Sequence, residues 1–171
     1  MSKKKIGKNF LFVALITIFF LLGFFVGLNY KSEEKFKEIG IEELSLKNFQ
    51  EVEVYLEGQT LFLKRECKTI IMTITPEQAM SIEVALKNKT TERPLTHDII
   101  KNVFEIYDIK VMHVIVHETR DGIYLAKIFL KQGNKILALD SRPSDAVAIA
   151  LRFGAKIYVK EKLLEKGEKI C

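Results

Sequence analysis

Asp140-Ser-Arg-Pro-Ser-Asp-Ala-Val-Ala-Ile-Ala-Leu-Arg-Phe-Gly154, followed by Ala-Lys-Ile-Tyr-Val159, carries the plan of the domain. It reads as the end of a strand, a tight polar turn, a helix, a glycine stop and another strand. Ala146, Val147, Ile149, Ala150, Leu151 and Phe153 cover most of the helix surface, which puts this helix inside the domain. Pro143 suits the first helical position, where a missing N–H costs nothing, and Gly154 suits the left-handed residue that ends a helix. The turn, with Asp140, Arg142, Ser144 and Asp145, is polar for a buried helix. Capping explains part of that polarity: Ser141 or Ser144 can accept from an orphan N–H, and Asp145 suits the positive end of the helix dipole. Spacing alone leaves capping and chemistry both open.

Upstream, Val52-Glu-Val-Tyr-Leu56 alternates as a half-buried strand does, Gly58-Gln59 turns, and Leu61-Phe-Leu63 returns as a hairpin partner. Thr69 to Ile74 is a third strand. Thr75-Pro-Glu-Gln78 is a helix start with a capping box, leading into an apolar side of Ala79, Ile82, Val84, Ala85 and Leu86. Thr96 is expected to cap a second helix reaching about Tyr107, with Ile99, Ile100, Val103, Phe104 and Tyr107 packing inward. Strands are expected over residues 110–118, 123–131, 135–139 and 156–159, the first two joined at Asp121-Gly122, a strong hairpin signal. A short charged helix over residues 161–166 closes the chain. Hairpins and clustered helices predict an α+β domain, a curved, largely antiparallel sheet packed against two or three helices.

One transmembrane helix is expected to precede it. Residues 10–28 are uncharged and almost wholly apolar, about 28 Å as a helix against a hydrocarbon core of about 30 Å. No small-residue cleavage site follows, so the segment reads as an uncleaved signal anchor. The predicted division is residues 1–29 as basic tail and anchor, 30–47 as linker, and 48–171 as the domain. Lys3, Lys4, Lys5 and Lys8 precede the apolar run, which places the N-terminus in the cytoplasm and the domain across the membrane. With Lys31 they account for the whole net charge of +5, since residues 32–171 hold 22 basic and 22 acidic side chains. A neutral domain argues against strong non-specific duplex binding, which needs many contacts to phosphate. Cys67 and Cys171 leave both a disulfide and free thiols open, and no zinc spacing is present.

Two polar motifs share a design. Arg93-Pro-Leu-Thr-His-Asp98 and Ser141-Arg-Pro-Ser-Asp-Ala-Val-Ala-Ile-Ala-Leu-Arg152 each set an arginine, a hydroxyl and free N–H groups at a helix start, a natural anion site. Both motifs, with Asp140 before the second and Ile-Tyr-Val after it, resemble the signature of the bifunctional nuclease domain over roughly residues 51–165. The chain departs from that pattern at Thr69-Ile-Ile-Met-Thr-Ile74, where a short Leu-Pro-Ile-like strand is expected. The resemblance implies phosphodiester hydrolysis of DNA or RNA.

The residues suggest how such a site would work. Both turns are expected to face one cleft, with Arg93, Thr96, Arg142 and Ser144 holding the phosphodiester. His97, Asp98 and Asp145 are the catalytic candidates, His97 as general base or acid. Asp98, Asp140 and Asp145 are candidates to hold Mg²⁺ or Mn²⁺, hard ions that favour oxygen ligands. Each has a structural reading too: the acids as first-turn residues, the arginines as braces between helices, His97 as a satisfied surface group. His113 and His117, four apart on a strand, sit about 13 Å from each other, too far to share an ion, and are expected on a half-exposed face. Expected partners are nucleic acid and the membrane, with a homo-oligomer left open. The alternative is a non-catalytic, membrane-anchored module that binds an anionic ligand or partner protein.

Overall fold

The structure, a computed structural model, describes Val13, residues 17–22 and residues 45–171. The chain divides into two compact units, Met1–Phe36 and Lys37–Cys171. In the first, residues 17–22 are helical, and Thr17 Oγ1 donates to the carbonyl oxygen of Val13. The expected anchor, residues 10–28, lies mostly outside the described residues, among which no helix is long and apolar enough to cross a membrane.

The second unit is α+β. Its strands are β1 (Phe49–Glu51), β2 (Glu53–Glu57), β3 (Thr60–Arg65), β4 (Lys68–Thr73), β5 (Lys110–Arg120), β6 (Ile123–Gln132), β7 (Lys135–Ser141), β8 (Lys156–Lys160) and β9 (Glu168–Lys169). Its helices are α1 (Pro76–Leu86), α2 (Thr96–Ile106), α3 (Pro143–Phe153) and α4 (Glu161–Lys166). The expectation of one sheet needs correcting, because the strands form two. One runs β1-β8-β5-β6-β7, the other β2-β3-β4-β9. The extended segment holding β1 and β2 passes from one sheet to the other at Val52, whose N–H donates to Ile157 O. All pairings are antiparallel except β5 with β8. That parallel pair is possible because the chain leaves β5, makes two hairpin strands and α3, and returns beside it.

α3 lies at the centre. Pro143, Ser144 and Ala146 through Ala150 are buried, packed with Val114, Val116, Ala126, Ile128, Ile157 and Val159 of the sheet. Both α1 and α2 rest on α3. Gly154 ends the helix at φ 62°, and Ala155 N–H returns to Ala150 O. Asp121 and Gly122 both have positive φ, as a two-residue hairpin with this twist requires. The capping box of α1 forms as its sequence predicts: Thr75 Oγ1 accepts from Gln78 N–H and Gln78 Oε1 accepts from Thr75 N–H.

Four local expectations need correcting. Thr96 is the first residue of α2, and Leu95 precedes it as the cap; the Leu95 N–H is taken by Asp98 Oδ2 at 2.8 Å. Neither Ser141 nor Ser144 caps α3; Ser141 Oγ donates to Arg142 O. On α2 only Ile100 and Phe104 pack on the core, while Ile99, Val103, Ile106 and Tyr107 are exposed, because this helix carries apolar residues on more faces than α3 can cover. His113 is buried, not half-exposed: its ring stacks on Phe129 with centroids 4.5 Å apart.

Cys67 and Cys171 form a disulfide, closing the β3–β4 turn onto the strand β9. Beside it Gly167 passes so near Thr69 that an added Cβ would lie 2.4 Å from the Thr69 carbonyl oxygen. Because the bond closes a loop spanning 104 positions, it restricts the unfolded chain strongly. Reduction, or Cys67→Ser, should lower stability by about 2–5 kcal/mol. A denaturant midpoint unchanged by reductant would show that the bond contributes nothing.

Candidate functional site

The first turns of α1, α2 and α3 and the end of β7 meet around one cleft of about 510 Å³. Ile100, Ile128, Leu139 and Ile149 give it an apolar floor; Glu77, Gln78, Ser81, Thr96, His97, Asp140, Ser141, Arg142 and Asp145 bring polar groups to it. The helix starts that follow the two Arg-Pro pairs, 49 positions apart in sequence, therefore line the same cleft, although Arg93 and Pro94 themselves do not.

His97 is the most enclosed of these polar groups that titrate, its side chain 13% exposed. Its Nδ1 lies 2.9 Å from Ser81 Oγ, and its Nε2 lies 3.5 Å from Asp145 Oδ1. Burial holds its pKa below the ordinary histidine value, aided by the Arg152 charge and opposed by Asp145 and Asp98. The imidazole is thus neutral near pH 7. Asp145 Oδ2 accepts from Arg142 Nε at 2.6 Å, and Arg142, 70% exposed, stays open to solvent at the mouth. The Asp145 bond raises the Arg142 pKa, so its charge is permanent.

Not every expected residue reaches the cleft. Arg93 is exposed in the loop before α2 and is not part of the lining. Ser144 is 5% exposed and faces the core, because its side of α3 is the packed one. Asp98 turns away: Oδ1 accepts from Arg152 Nε at 2.7 Å and Oδ2 from Leu95 N–H. Burial acts to raise the Asp98 pKa, but the Arg152 and Leu95 hydrogen bonds and the nearby positive charge outweigh it and hold the carboxyl below its ordinary value. Asp140 sits exposed at the rim, opposite Lys127 in the β6–β7 register. The three carboxylates expected to share an ion are therefore not clustered, and among the described residues no three His, Cys, Asp or Glu side chains converge to hold a metal.

Two residues were not singled out by sequence. Ser81 comes from α1, and Arg152 from the last turn of α3. Arg152, with only 5% of its side chain exposed, bonds Asp98, Ser81 O at 3.1 Å and Ala148 O at 2.9 Å, tying α1 and α2 to α3. An arginine at the far end of a helix read as buried was the available signal, since a buried charge needs partners.

The three histidines make the domain acid-sensitive. Burial is the leading cause that lowers the pKa of His97, His113 and His117, so each takes up its proton more readily in the unfolded chain. Their contribution is complete above the unfolded value of about 6.5 and is lost as pH falls below it. Asp98, also depressed, adds a loss at lower pH, below about 4. The melting temperature should fall as pH drops from 6.5 to 5; a flat profile across that range would contradict the burial of these rings.

Fold and cleft together define an α+β domain with helix N-termini, a neutral histidine and one exposed arginine gathered at a single opening. The chain belongs to the bifunctional nuclease domain family, whose pattern matches residues 61–170 and so includes every residue of the cleft. It is 32% identical over 114 residues to an uncharacterized protein of Mycobacterium tuberculosis, covering 65% of this chain and 68% of that one. It is 31% identical over 97 residues to Bifunctional nuclease 1 of Oryza sativa subsp. japonica and to Bifunctional nuclease of Oryza minuta, covering 55% of this chain but 29% of each rice protein.

Proposed function

We propose that this protein is a membrane-tethered nuclease that hydrolyses phosphodiester bonds of DNA or RNA in the cleft between α1, α2 and α3. The observation that carries the reading is His97, held between Ser81 and Asp145 inside a cleft whose mouth bears Arg142. Arg142 and the unsatisfied N–H groups at the starts of α2 and α3 attract a phosphate. Thr96 and Ser141, in the lining, add hydroxyls. His97 then acts on the reacting oxygens, and Asp145, beside its Nε2, helps to orient the ring.

A preformed three-carboxylate metal site does not fit, because both oxygens of Asp98 are engaged. A divalent ion is often held by one or two carboxylates together with substrate phosphate, and Asp140, exposed at the rim, is the carboxylate suited to that. When bound, such an ion would neutralise charge on the phosphate.

The test is incubation of the purified full chain in detergent with labelled DNA and RNA oligonucleotides in Mg²⁺, Mn²⁺ or EDTA. Cleavage that EDTA abolishes is expected. Cleavage undiminished in EDTA removes the ion from the reaction, and no cleavage under any condition overturns the hydrolase. The Arg142–Asp145 ion pair favours a second reading, a cleft that holds an anionic ligand without hydrolysing it. Oligonucleotide binding with no cleavage would support that reading.

The tether rests on residues 10–28 and the four lysines before them, which orient the domain away from the cytoplasm. The Cys67–Cys171 disulfide favours the same side, since such bonds persist in oxidising compartments. Release of the chain from membranes by alkaline carbonate would refute the anchor.

A further inference from the structure

We infer that Ser81 is a positioning residue: its hydroxyl donates to Nδ1 of His97 and fixes the ring with its hydrogen on Nε2, so that the cleft is offered an N–H donor. The inference rests on the proposed hydrolysis for its consequence, but the ring tautomer can be read without turnover.

A neutral imidazole carries one N–H, and its place follows from the partners of the two nitrogens. Nε2 is 3.5 Å from Asp145 Oδ1. A carboxylate only accepts, so a hydrogen on Nε2 meets an acceptor, whereas a lone pair there would face negative charge. Nδ1 is then the acceptor, and the group 2.9 Å from it is the Ser81 hydroxyl. That hydroxyl is well placed to stay fixed. Ser81 is 4% exposed within α1, and its carbonyl is held by buried Arg152. The other charges around the ring, Arg152 and Asp98, are paired with each other at 2.7 Å. The depressed pKa of His97 agrees with a neutral ring.

The consequence narrows what His97 does. In this tautomer the basic lone pair points at Ser81, away from the cleft, and Nε2–H points toward Asp145 and the substrate. The contact with Asp145 is too long for a strong hydrogen bond, so the N–H is free to turn to a phosphoryl oxygen. A neutral imidazole N–H aimed at an oxygen that gains negative charge lowers the barrier without any proton leaving the ring. Ser81 acts through His97 and does not itself touch the phosphate.

The chain has three histidines, so selective ¹⁵N-histidine labelling of the full chain in detergent gives few signals, and loss of one in His97→Gln assigns it. The expected spectrum shows Nδ1 unprotonated and Nε2 protonated. In Ser81→Ala the two tautomers should mix, and Ser81→Thr should restore the first. Cleavage by Ser81→Ala should fall about tenfold in kcat with KM little changed, the rate equivalent of one hydrogen bond, and Ser81→Thr should recover it. His97→Gln, which keeps an N–H near the Nε2 position, should retain more activity than His97→Ala. A proton on Nδ1 in the unsubstituted protein, or equal tautomers in Ser81→Ala and the parent, overturns the assignment. If the predicted tautomer appears but no oligonucleotide is cut, the nuclease reading fails and the role of Ser81 in setting the ring stands. Equal activity of His97→Gln and His97→Ala overturns the donor role.

Discussion

His97→Ala should lower the cleavage rate by about two to four orders of magnitude, the range spanned by losing an acid–base group or a transition-state hydrogen-bond donor. No other imidazole lines the cleft, and the remaining polar groups there are carboxylates, hydroxyls, an amide and a guanidinium. None of them is an imidazole held between a hydroxyl and a carboxylate as His97 is. The substitution also leaves the buried Ser81 hydroxyl without its ring partner, a cost of about 1–3 kcal/mol. Initial rates on a labelled oligonucleotide, set beside a thermal melt, separate the two effects. Activity within threefold of the parent would remove His97 from the chemistry.

Arg152→Ala is expected to have the largest effect on stability, about 3–5 kcal/mol, because it removes one partner of a buried pair and leaves the other charged. The carboxylate of Asp98 is 29% exposed and keeps the Leu95 N–H, which limits the cost. Against that, Ser81 O and Ala148 O lose their donor together, and a long buried side chain leaves a gap between three helices. For a domain of this size the melting temperature should fall by roughly 10 °C or more. Arg152→Lys should fall between, since an ammonium keeps the charge without the planar fork. A melt within 2 °C of the parent would show that α1, α2 and α3 hold together without this side chain.

The fold was largely readable from local chemistry. Pro143 and Gly154 bracket α3, Thr75 and Gln78 start α1, and Asp121-Gly122 turns β5 into β6, each for a reason confined to a few residues. The division into two sheets was not readable, because pairing depends on which distant strand is met. Nothing in β1 and β2 marks the point at Val52 where one extended run leaves β8 and joins β3. The exposed face of α2 misled for a related reason: apolar spacing shows that a face can be buried, not that a neighbour exists to cover it.

The candidate site divides along the same line. By itself the sequence determined that polar groups stand at two helix starts and that the helix after Asp140 is buried, since capping, helix period and apolar content act within a dozen residues. Only the tertiary structure decided that Asp98 faces Arg152 instead of the cleft, that Ser144 packs inward, and that Ser81 reaches His97. Those outcomes depend on the rotation of each helix against its neighbours. A turn of one residue, about 100°, exchanges the side chain that meets the cleft for one that meets the core.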